Sequence, residues 1–95
     1  LEQGQQIARS CAMNIIANLH DAIGDLNEIK RLVKVLAFVA SADDFYQQPQ
    51  VVNGASELFL EVFGEEAGLP ARSAIGVNVL PGNLPVEIEL LAELH

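Results

Sequence analysis

The nine residues Val86–Leu94, reading VEIELLAEL, constrain this chain more than any other stretch. Val86, Ile88, Leu90, Ala92 and Leu94 recur at every second position, with Glu87, Glu89 and Glu93 between them and Leu91 as the one exception. Successive side chains leave a strand on opposite faces, so this period predicts a strand with one apolar side. An earlier run, Ser73–Leu80, alternates as well. Ile75, Val77 and Val79 fall on one side, and Arg72, Ala74, Gly76 and Asn78 on the other. Between the runs stands the turn-forming string Pro81-Gly82-Asn83-Leu84-Pro85. The simplest reading is a hairpin whose large aliphatics share the buried face. Its second face then holds Arg72 and Asn78 beside Glu87 and Glu89, around a floor of small residues, Ala74 and Gly76. That combination predicts a pocket.

The remaining chain supplies three more elements. Ile7, Ala8, Cys11, Ala12, Ile15, Leu19, Ala22 and Ile23 trace a stripe of helical period from Leu1 to about Ile23, and Gly24 is placed to end it. Ile29–Ala40 reads as a strand, with Val33, Val35, Ala37 and Val39 on one face and Leu32, Lys34, Leu36, Phe38 and Ala40 on the other. Apolar on both faces, it is expected at the centre of a sheet. Oxygens from Ser41 to Asp44 are expected to cap a second helix, Pro49 suits its first turn, and Val51, Val52, Ala55, Leu58, Phe59, Val62 and Phe63 mark its apolar side, closing near Gly64. Gly54 within it predicts a close approach of helix to sheet. The order is α-β-α-β-β, an α+β fold whose two helices cover one sheet face only. An uncovered face bearing Leu32, Leu36 and Phe38 predicts an oligomer with sheets inward.

Composition excludes several roles. Ninety-five residues suffice for a single domain. Five basic residues against thirteen acidic ones give a net charge of −8, which opposes nucleic acid, because that affinity rests on neutralised phosphates. No apolar run reaches the ~20 residues of a membrane span. The single cysteine, Cys11, cannot form an internal disulfide, so the cytoplasm is expected. His20 and His95 make no metal-ligand spacing.

Three motifs, Pro70-Ala71-Arg72-Ser73, then Val77-x-x-Leu80-Pro81, then Val86-Glu87-Ile88-Glu89, jointly resemble the Rid family of reactive intermediate deaminases, also called YjgF-like. Asn14-Ile15 is similar to a step in that family's first helix. The resemblance covers nearly the whole chain and implies a chorismate-mutase-like fold, a homotrimer and ligand sites in the clefts between subunits. The family opens with several strands before its first helix. This chain starts at Leu1, directly in a helical pattern, so it is expected to be the C-terminal two-thirds of such a domain.

Spacing alone leaves Arg72 either as a ligand-binding guanidinium or as a cross-strand partner of Glu87 or Glu89 contributing ~0.2–1 kcal/mol. The resemblance implies the first: Arg72 would hold a substrate carboxylate through two parallel hydrogen bonds. Glu87 matches a glutamate that positions or activates water. Asn53 matches a site asparagine near the start of the second helix, although two extra residues separate it from Pro70. Ala74 stands where many members carry a cysteine and is expected to line the pocket. The implied reaction is hydrolysis of reactive enamine or imine acids, of the 2-aminoacrylate type, to 2-keto acids and ammonia, with neither cofactor nor metal. The alternative is a non-catalytic relative that binds small carboxylates in the same cleft. A ribonuclease, a label sometimes attached to the family, is opposed by the acidic charge and the lack of an acid–base histidine pair. Chorismate-mutase chemistry would rest on fold analogy alone.

Overall fold

A computed structural model describes residues 1–95. The chain folds as α1 (Glu2–Ile23), a 3-10 turn (Leu26–Glu28), β1 (Ile29–Ala40), α2 (Gln48–Ala67), β2 (Ala71–Val77), a second 3-10 turn (Pro81–Asn83) and β3 (Val86–Leu94). Gly24 ends α1 with φ 81°, and its N–H donates to the His20 carbonyl at 2.7 Å. The Asp25 carboxylate accepts from the Asn27 N–H at 2.9 Å and starts the short turn into β1. Helix α2 opens without a side-chain cap, on Gln47 and Pro49. The expected capping by Ser41–Asp44 does not occur. Instead Ser41 Oγ donates to the Val39 carbonyl at 3.1 Å and accepts from Gln48 Nε2 at 3.2 Å. Gly64 breaks the helix geometry at φ 79°, where the apolar stripe ends.

The sheet order is β2-β1-β3. The expected β2–β3 hairpin is therefore absent. β1 lies between them, parallel to β2 and antiparallel to β3. β1 is apolar on both faces and takes the centre, while the Pro81–Pro85 connection carries the chain past it rather than folding back. The β1–α2–β2 sequence is a crossover unit, which parallel neighbours require.

Both helices pack on one side of the sheet. The core joins Ala8 and Ala12 of α1 and Val51, Val52, Ala55, Leu58 and Phe59 of α2 to Val35, Ala37, Val39 and Val86 of the sheet. A register shift between Leu32 and Lys34 moves Leu32 across to this side, where it is 3% exposed. The expected place of Leu32 on the outer face is thereby corrected: one extra residue in a bulged strand reverses the alternation beyond it. The opposite face keeps Leu36, Phe38, Ile75 and Leu91, none of them in the core. Gly54 does allow a close approach, but to the other helix. A Cβ there would lie 2.0 Å from the Gln5 carbonyl oxygen.

Candidate functional site

Strand register decides which side chains can meet. Arg72 pairs with Val35, and Ala74 with Ala37, so both lie on the helix-covered side of β2. Ile75 pairs with Phe38, and Ser73 with Leu36, on the open side. The assignment of faces along β2 is thus the reverse of the sequence expectation, which put Ile75 and Val77 inside. On β3 the expectation holds for Val86, Ile88, Leu90 and Ala92, which pack toward the core. Glu87, opposite Phe38, and Glu89, opposite Leu36, lie on the open face.

Arg72 and Glu87 consequently occupy opposite faces of the sheet. They are separated by two strand spacings, roughly 10 Å, and by three residues of strand rise, about another 10 Å. The expected shared pocket of Arg72, Glu87 and Glu89 does not exist within one protomer. β2 does alternate, but its large aliphatics Ile75 and Val77 lie on the open face while the small residues Ala74 and Gly76 leave room for the helix on the covered one. Arg72 has a stem long enough to leave the covered side at the edge.

The guanidinium of Arg72 reaches over the sheet edge to α2. Its Nη1 donates to Asn53 Oδ1 at 2.8 Å and to Ser56 Oγ at 3.1 Å. Asn53 is thus brought to Arg72, as a partner of the guanidinium. Ser56 is absent from the sequence reading. The available signal was its spacing, since residues three apart share a helix face and Ser56 follows Asn53 by three. Arg72 itself is exposed, and both partners are half-buried. Ala74 packs against the core beneath α2 and lines none of the surface cavities. The pocket-lining expectation for Ala74 therefore fails in the single protomer, because its side of β2 is filled by the helix.

No surface cavity of the protomer includes Arg72, Asn53 or Glu87. The largest, about 490 Å³, opens between the start of α1 and the end of β1, with Ile7, Val39, Phe45 and Val51 in its wall. A smaller one of about 340 Å³ lies on the open sheet face beside Lys34, Leu36, Glu89 and Leu91. There Lys34 Nζ donates to Ser73 Oγ at 2.8 Å. Farther along the same face, Arg31 Nε meets Glu93 Oε1 at 3.0 Å, and this hydrogen bond, aided by the charge of Lys30, holds the Glu93 carboxyl below its ordinary value. Burial pushes the Cys11 thiol up, and Cys11 Sγ lies 3.7 Å from the Val86 carbonyl. No group of His, Cys, Asp or Glu is arranged to hold a metal ion. No helix is long and apolar enough to cross a membrane.

Comparison with known proteins gives consistent relatives. Protein TCP17 of Trypanosoma cruzi is 47% identical over 93 residues, which is 98% of this chain and 58% of that protein. "Putative regulator AldR" of Lactococcus lactis subsp. lactis (strain IL1403) is 33% identical over 81 residues, covering 85% of this chain and 55% of the relative. Among solved structures, Atu1372 from Agrobacterium tumefaciens, described as having unknown function, superimposes with a TM-score of 0.95 at 43% identity, over 99% of this chain and 60% of that one. A Shewanella oneidensis MR-1 protein described as a "putative endoribonuclease" gives a TM-score of 0.93 at 33% identity, over 98% and 61% respectively. The chain thus spans a little under three-fifths of the curated relatives it matches. The family model described as "YjgF/chorismate mutase-like, putative endoribonuclease" matches residues 1–94. With the α+β architecture of two helices on a mixed three-stranded sheet, these matches mean that the chain belongs to the YjgF/chorismate mutase-like family.

Proposed function

We propose that this chain contributes the carboxylate anchor of a hydrolytic deaminase acting on small 2-imino acids and their enamine tautomers. The observation that carries the reading is Arg72: an exposed guanidinium at a sheet edge, held through one nitrogen and open on its other side. A guanidinium edge of that kind matches a carboxylate bidentately. In the reaction the enamine tautomer first takes a proton on carbon. Water then adds to the iminium carbon, and the carbon–nitrogen bond of the adduct breaks. The products are a 2-keto acid and ammonia. No redox step occurs, so the reaction needs no oxidant or reductant.

Hydrolysis also needs a group to direct water. Glu87 is the candidate, half-buried beside Phe38, but it lies across the sheet from Arg72 of its own protomer. The reading therefore requires a second copy to bring its Glu87 toward this Arg72. The open apolar face of Leu36, Phe38, Ile75 and Leu91 supports an assembly in which sheets face inward, and we take it to be a homotrimer. Ala74 then acts only as packing under the anchor. A reducing cytoplasm suits the lone Cys11.

A second reading, binding of small carboxylates without turnover, is favoured by the separation of Arg72 from Glu87 and by the name of the regulator AldR. Ammonia release from freshly generated 2-aminoacrylate distinguishes the two. The deaminase reading expects acceleration by the intact protein, lost in both Arg72→Ala and Glu87→Gln. Binding of a 2-keto acid with no acceleration would leave only the second. Ribonuclease activity, suggested by the description of the Shewanella protein, is opposed by a net charge of −8.

A further inference from the structure

The geometry points to Ser56 as a positioning residue that, together with Asn53, selects which edge of the Arg72 guanidinium meets a ligand. This inference rests on the proposed carboxylate anchor and adds how the anchor is aimed. A guanidinium carries five N–H donors, two of them on each terminal nitrogen and one on Nε. Nη1 donates to both Asn53 Oδ1 at 2.8 Å and Ser56 Oγ at 3.1 Å. The three donors on Nη2 and Nε remain, and Nε–H with one Nη2–H forms the Nη2–Nε edge. That edge is a bidentate fork for one carboxylate.

Two acceptors on one nitrogen do more than hold a flexible side chain. They fix the guanidinium plane, because Asn53 and Ser56 stand three residues apart on one face of α2. Both are half-buried and carried by a helix that is anchored in the core through Val52, Ala55 and Phe59. Both are also uncharged. A carboxylate at either position would pair with the guanidinium and compete with the ligand; an amide and a hydroxyl orient it and leave its charge available. Asn53 accordingly belongs to the site as an orienting group rather than as a direct ligand contact.

The test uses the intact protein and 2-oxobutanoate as probe, with 2-oxobutanamide as the uncharged control. Ser56→Ala is expected to weaken binding of the acid about three- to tenfold, the loss of one hydrogen bond to a charged group. Binding of the amide should not change, since it lacks the group that the aimed edge recognises. Ser56→Thr, which keeps the hydroxyl, should restore the acid's affinity to within about twofold of the wild type. Asn53→Asp should lose acid binding altogether while raising the melting temperature or leaving it unchanged. If Arg72→Ala abolishes acid binding but Ser56→Ala leaves it intact, the positioning role is wrong and the anchor stands. If Arg72→Ala binds the acid as well as wild type, the anchor itself is wrong. Equal losses for acid and amide in Ser56→Ala would reduce Ser56 to a structural residue and overturn the inference.

Discussion

Gly54 shows how a single missing methyl group decides the distance between two helices. Glycine inside a helix costs about 1 kcal/mol relative to alanine, so Gly54→Ala would stabilise α2 in isolation. In the fold, the added Cβ would lie 2.0 Å from the Gln5 carbonyl oxygen. Backbone cannot rotate aside as a side chain can, so α1 would have to move. Overpacking of this kind costs about 1–3 kcal/mol, which outweighs the propensity gain. Urea denaturation of Gly54→Ala should give a midpoint below that of the wild type. An equal or higher midpoint would mean that the helices are not in that contact. The sequence marked Gly54 as a close approach but not its partner. Periodicity identifies the apolar side of a helix, and it is silent on which neighbour crosses at which residue. Arg72 shows the same limit: its type and its motif drew notice, yet the α2 partners that aim it became visible only with the packing.

At the scale of elements, most boundaries were legible because the segments carried their own period, although β2 runs Ala71–Val77 rather than the expected Ser73–Leu80. The stripe to Ile23, the strand Ile29–Ala40 and the alternation of Val86–Leu94 all stand where the pattern put them. Pairing was misassigned, because turn composition was weighed above element order. Pro81–Pro85 has the composition of a hairpin turn, but the strand–helix–strand order from β1 through α2 to β2 already signals a parallel crossover, and two strands beside one doubly apolar strand satisfy it from both sides. The faces of β2 followed the wrong neighbour for that reason. The long β1–β3 pairing also carries an exposed charge pair, Arg31 and Glu93. The hydrogen bond from Arg31 holds the Glu93 pKa below its unfolded value, so the pair's contribution is complete above the ordinary carboxylate range. It is lost as the pH falls from there through the lowered folded value. Denaturation midpoints measured across that interval should fall less steeply for Glu93→Gln than for the wild type. Added salt should shrink the difference, since exposed charges are screened. Parallel pH profiles for the two proteins would count against the pair.

Across the whole molecule, the distribution of apolar surface and charge points outward from the protomer. One face of the sheet is sealed by α1 and α2, and the other leaves Ile75 44% and Leu91 61% exposed beside Leu36 and Phe38. Arg72 stands at the edge between these two worlds, on the covered side by register and open to a neighbour by position. A family fold of this kind does not specify a reaction; the site does, and here one protomer holds the anchor on one side of its sheet and the carboxylate Glu87 on the other. The place where a ligand's carboxylate binds therefore decides the function. A crystal structure of the intact protein with 2-oxobutanoate measures this directly. The predicted result is the ligand carboxylate on Nη2 and Nε of Arg72, with Asn53 and Ser56 still on Nη1 and Glu87 of a neighbouring copy facing the keto carbon. A carboxylate held by Lys34 on the open sheet face, with Arg72 unengaged, would contradict it.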